Sequence, residues 1–202
     1  MTAWIAFAAA TLCALLKCAL GNYILSACTT LLCALSAAGA PRWVIAAGFL
    51  ASVTGDWFLV HQQPGGNRFL YGVIFFFIAH CLFSVSAAMR FCFNVPALAV
   101  AALLATGYGL YMYIRILPRV DAGLRLPLVM YMLVSIVSLW CAMSMAGKAH
   151  VRLVYIVGIA SIVFSDTMIA ENIYMESGLA GRLVHPTYYF CHLMVALSAL
   201  LA

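Results

Sequence analysis

The chain has 202 residues, 67% of them hydrophobic and only 7% charged, against roughly a quarter charged in soluble domains. A water-soluble globule is excluded, and an integral membrane protein is indicated. The formal net charge of +5 comes from Lys and Arg at the ends of apolar runs, where long side chains reach the headgroups. This distribution excludes a nucleic-acid-binding face.

Long runs of Leu, Ala, Met and Gly without period-two alternation speak for helices and against barrel strands. A helical span needs about 20 apolar residues. Cutting at Pro, Gly and charges predicts eight segments, at approximately 2–20, 22–39, 43–60, 69–89, 95–115, 125–146, 151–173 and 184–202. The first lacks a positively charged leader and runs at once into more membrane, so it is expected to be a retained helix carrying Lys17. The second is short. The third carries Asp56 near its end. On the fourth, Phe69, Gly72, Phe76, His80 and Phe83 share one helical stripe, and on the fifth Tyr108, Tyr111 and Arg115 do so.

The connection 115–125 is expected to face headgroups, with no chemistry of its own. The sixth segment aligns Tyr131, Ser135 and Ser138. The seventh holds Asp166 and, closer to the interface, Glu171, expected as a solvated helix end. The eighth aligns His185, Tyr188, Tyr189 and His192. The eight cysteines lie mostly within spans and form no CxxC pair, so small apolar packing is expected in place of disulfides or a zinc ribbon. The fold class predicted is an all-α integral membrane protein, one polytopic domain over residues 1–202 with about eight transmembrane helices. The expected location is a bacterial inner or plasma membrane, not an organelle.

An ionisable group deep in a bilayer costs about 2.5 to 3.5 kcal/mol on insertion scales, so each one is a functional candidate. We term the side reached by connections 1–2, 3–4, 5–6 and 7–8 the near face. Lys17, Asp56, His80, Asp166 and His192 all fall in the near half of the membrane, His192 about eight residues from the start of its segment. Thr54-Gly55-Asp56 is followed 24 residues after its Asp by His80, and Phe164-Ser165-Asp166 is followed 26 residues later by His192. Four helices separate the two sets, an offset that suggests two parallel four-helix repeats meeting at one cavity. Two aspartates and two histidines would converge there.

The stretches GDWFL, RFLYGVIFFFIAH, VGIASIVFSDTMIA and YYFCHLMVAL, with PLVMYML at the start of the sixth segment, resemble the YhhN family of eight-helix membrane proteins, which includes lysoplasmalogenases. Two positions depart from the usual pattern: Cys18 follows Lys17, and Phe83 stands three residues after the fourth-helix histidine. The resemblance implies hydrolysis of the vinyl ether bond of lysoplasmenyl-ethanolamine or -choline, with water as co-substrate, membrane lipid as surroundings and no cofactor or metal.

Vinyl ether cleavage needs an acid to protonate the β-carbon and an anion to steady the oxocarbenium ion and activate water. Asp56 and Asp166 are expected in those roles, as paired carboxylates serve similar cations in glycosidases. His80 and His192 are expected to hold or shuttle protons. Lys17 and Arg68 are candidates for the phosphate, and Tyr131, Tyr188 and Tyr189 for substrate contact.

Structural helix bridging by the aspartates, a noncatalytic lipid-binding protein and a proton-coupled transporter are the competing readings. An intramembrane aspartyl protease fails at Val53, where its glycine pattern breaks. A zinc hydrolase lacks clustered ligands.

Overall fold

A computed structural model describes residues 1–61 and 67–202. Over these the chain is built of α-helices: α1 (Thr2–Leu20), α2 (Tyr23–Gly39), α3 (Trp43–Val60), α4 (Arg68–Ala88), α5 (Val95–Tyr111), α6 (Ala122–Met143), α7 (Ala149–Met175) and α8 (Gly178–Leu201). The end of α5 widens into a π-helical turn at Met112–Ile116 and tightens into a 3-10 turn at Leu117–Arg119. Seven of these helices are long and apolar enough to cross a membrane, which makes the chain a multi-pass membrane protein. The eighth, α2, has 17 residues, about 25 Å at 1.5 Å per residue.

Local chemistry sets the boundaries. Gly21 takes the left-handed conformation (φ 71°) and donates its N–H to the Lys17 carbonyl, which ends α1. Asn22 then accepts from Ile24 N–H at 2.8 Å and starts α2. Helices α6 and α8 begin before the expected 125 and 184, because Gly123 lies inside α6 and Gly181 and Arg182 inside α8; Pro127 and Pro186 lie inside them as well. A proline removes one backbone donor, and here the helix continues through it. Ser177 caps α8 by accepting from Ala180 N–H at 3.3 Å, so α8 starts at Gly178.

A bilayer supplies no hydrophobic drive between helices, so close association relies on small residues that let surfaces interlock. Helix α7 lies on α8, α3 on α4 and α1 on α2 as the three most extensive pairs. At Gly158 of α7 an added Cβ would stand 2.7 Å from Val195 Cγ2 and 3.1 Å from the Val195 backbone nitrogen of α8. At Gly72 of α4 it would stand 2.7 Å from Leu59 Cδ2 of α3. The core beneath holds Ala10, Cys33, Phe49, Ile159, Cys191 and Val195, all fully buried.

The order of packing partners is shared by the two halves: α2 against α3, α3 against α4 and α4 against α6 correspond to α6 against α7, α7 against α8 and α8 against α2. That is the order a four-helix repeat would give. The halves differ at their first helices. Helix α1 rests on α8, whereas the backbone of α5 packs closely on α6 and its own π-helical continuation, reaching α7 through the hydroxyls of Tyr108 and Tyr111. At the far face, Cys92 N–H donates to Ser144 O at 2.8 Å and Ala146 N–H to Arg90 O at 2.6 Å, tying the α4–α5 and α6–α7 connections together.

Candidate functional site

Two cavities open in the near half of the bundle and share a wall made by Leu59, Ile169 and Ile173. Asp166 lines one and Asp56 the other. The first is a slot of about 50 Å³ whose other walls are almost wholly apolar or aromatic, among them Phe76, Met112, Leu128 and Met132. The second, of about 410 Å³, is more polar and includes Lys17, Ser26, Asn172, His185, Tyr188 and Tyr189. Helical period places the shared wall: Leu59 follows Asp56 by three residues on α3, and Ile169 and Ile173 follow Asp166 by three and seven on α7.

At the slot, Asp166 Oδ2 accepts a hydrogen bond from the Tyr131 hydroxyl at 2.7 Å and lies 3.0 Å from His80 Nε2. Helices α4, α6 and α7 each supply one of these groups. The His80–Asp166 contact is the ion-pairing contact found among the described residues. On the other side of the ring, His80 Nδ1 lies 3.0 Å from Ser138 Oγ, and the Ser138 hydroxyl donates to the Ser135 carbonyl at 2.8 Å. A hydroxyl has one proton to give. With its proton on Nε2, His80 donates to Asp166 Oδ2, and Nδ1 accepts from the Ser138 hydroxyl when that hydroxyl turns away from the Ser135 carbonyl. The imidazole thus stands between a hydroxyl and a carboxylate, an arrangement suited to passing a proton.

Asp56 is held differently. Its Oδ2 accepts from the Tyr188 hydroxyl at 3.0 Å, and Lys17 and Asp166 both lie within electrostatic reach of it. Lys17 is buried, with Nζ donating to Gly21 O at 2.8 Å. Tyr189, also buried, donates to Ser26 Oγ at 2.6 Å and stacks on His185. Lys17, Tyr188 and Tyr189 thus line the polar chamber, and Tyr131 lines the slot.

The two remaining candidates sit elsewhere. Arg68 turns back onto the His61 carbonyl at 2.5 Å and over the Trp57 ring, and lines neither cavity. His192 is fully buried behind Tyr188, its Nδ1 donating to Tyr188 O at 2.8 Å and its ring packed on Phe49 and Tyr188. Its Nε2 has no partner among the described residues. The early start of α8 explains this placement, since His192 lies fourteen residues beyond Gly178, about 21 Å along the axis, deeper than Asp166. His192 therefore orients Tyr188 from behind and makes no hydrogen bond to either carboxylate. Glu171, half-buried in the last turns of α7, accepts a hydrogen bond from the Tyr111 hydroxyl. Among the described residues no cluster of three or more His, Cys, Asp and Glu is arranged as a metal site.

Ser138, Leu59, Ile169 and Ile173 are the site residues that the sequence did not single out for a role. Ser138 shares a face with Tyr131, and the three apolar residues share the aspartates' faces, so helical spacing carried the signal.

A model of the YhhN family matches residues 12–199 of the chain. The chain is 29% identical over 181 residues to a mouse (Mus musculus) protein named lysoplasmalogenase TMEM86B, an alignment spanning 86% of this chain and 73% of the mouse protein. No solved structure matches it.

Proposed function

Because the chain belongs to the YhhN family, we propose that it hydrolyses the vinyl ether bond of a lysoplasmalogen, releasing a fatty aldehyde and a glycerophospho-ethanolamine or -choline. The observation that carries this reading is the pair of cavities, one apolar and one polar, each holding a carboxylate and meeting at a common wall. A lysolipid has that shape: one tail, one headgroup and the bond to be cut between them. The slot is too small for a whole chain. Only the first carbons would enter it, and the rest would lie along the lipid-facing surface.

In this reading the His80–Asp166 pair gives its proton to the β-carbon of the vinyl ether. The resulting oxocarbenium ion lies between two carboxylates, where charge developed in a water-poor site is strongly stabilised. Asp56, steadied by Tyr188, takes a proton from water as that water attacks the α-carbon. The hemiacetal then collapses, the C–O bond to glycerol breaks, and the glycerol oxygen leaves with a proton. Lys17 stands at the polar chamber for the phosphate, and Tyr189 and His185 line the same space.

The test is incubation of purified protein with lysoplasmenyl-ethanolamine in heavy water. The expected product is a fatty aldehyde carrying one deuterium on the carbon next to the carbonyl. Absence of aldehyde, with uptake of a solute driven by a proton gradient in proteoliposomes, would replace this reading with that of a transporter.

A further inference from the structure

All five acidic residues of the chain, Asp56, Asp121, Asp166, Glu171 and Glu176, lie in the near half of the bundle or its connections. The far face carries Arg42, Arg90, Lys148 and Arg152, with no carboxylate side chain to balance them. Two of these, Arg42 from the α2–α3 connection and Arg90 from the α4–α5 connection, line one cavity of about 210 Å³. Both are half-buried. Ala202 lines the same recess, and no salt bridge to either arginine is found among the described residues.

Like charges do not gather in a recess without reason, since each loses water and repels the other. Burial, and then the charge of Arg90, hold the Arg42 guanidinium below its ordinary range. Arg42 Nε is moreover occluded and has no hydrogen-bond partner among the described residues. A half-buried cation whose Nε is occluded and short of an acceptor calls for an anion. Arginine forks match phosphate oxygens in geometry as well as charge.

The surroundings say where that phosphate comes from. The same cavity is walled by Val44, Ile45, Met145 and Val151 and edged by Trp43 and Met89, which are 68% and 74% exposed on a surface that faces lipid. A tryptophan at this level is an interfacial anchor. A soluble anion would gain nothing from such walls, whereas acyl chains would lie against them. We propose that this far-face recess is a binding site for the headgroup of an anionic phospholipid, its phosphate held between Arg42 and Arg90. The bound lipid fastens the α2–α3 and α4–α5 connections to each other. It lies on the face opposite the candidate active site and does not depend on what that site does.

The experiment is thermal unfolding of the purified protein in neutral detergent, with phosphatidylglycerol, phosphatidylcholine or inorganic phosphate added. A ligand that binds the native state raises the midpoint with concentration. Phosphatidylglycerol should raise Tm by several degrees in the unaltered protein and in K148Q, whose charge lies outside the cavity. The other two additions should not, and R42Q/R90Q should lose the shift. If the double variant does not fold, R90Q alone should show a reduced shift. Three results would overturn the proposal: no shift with phosphatidylglycerol, an undiminished shift in the Arg variants, or an equal shift with inorganic phosphate or phosphatidylcholine.

Discussion

Asp166 is surrounded by three groups that leave it little freedom: Tyr131 donates to Oδ2, His80 stands against the same oxygen, and Ser138 sets the far side of the imidazole. A hydrogen bond to a charged group contributes about 1.5–3 kcal/mol, and each 1.36 kcal/mol is tenfold in rate. Tyr131→Phe should therefore lower kcat for aldehyde release by roughly tenfold to a hundredfold with the fold intact; an unchanged kcat would remove Tyr131 from the site. Ser138→Ala acts only through His80. It should move the pH profile of kcat as well as its height, whereas a merely structural serine would lower stability and leave the profile in place.

The helix scale explains both what the sequence disclosed and what it concealed. Asp56 and Asp166 were legible because an acid in an apolar run has no bland partner in lipid, and their shared depth followed from counting residues. Tyr131 and Tyr188 were legible as inward-facing, though not as the donors that grip the carboxylates, since that depends on how α6 approaches α7 and α8 approaches α3. Leu59, Ile169 and Ile173 carry no chemical signal of their own; helical spacing puts them on the aspartates' faces, and the packing of the helices joins them into one wall. The depth of His192 differs from expectation for one reason: Gly181 and Arg182 read as punctuation before 184, whereas Ser177 caps α8 and the helix runs from Gly178.

The same scale carries a stability prediction. Gly158→Ala would drive a methyl group to 3.1 Å from the Val195 backbone nitrogen, which cannot swing aside as a side chain would. Overpacking of this kind costs about 1–3 kcal/mol. The variant should unfold several degrees lower while keeping its KM; a wild-type Tm would mean that α7 and α8 lie farther apart.

Taken whole, the molecule is a bundle with unlike ends. Its near half gathers every acidic side chain, the slot, the polar chamber and the candidate chemistry; the charged side chains of its far face are all cationic. The two near cavities predict how substrate analogues behave. A saturated alkyl-ether lysolipid has the tail and headgroup but no double bond to protonate, so it should inhibit competitively and release no aldehyde. Failure to compete would show that the two cavities do not receive a single amphiphile.

The central claim is that Asp56 and Asp166 act on one substrate from its two sides. Its most direct measurement is fatty aldehyde release from lysoplasmenyl-ethanolamine by the purified protein and by Asp56→Asn and Asp166→Asn. General acid–base groups contribute about 10²–10⁴-fold, so each variant should fall by at least about a hundredfold while still binding the alkyl-ether analogue. Near-normal turnover by either variant would contradict the account.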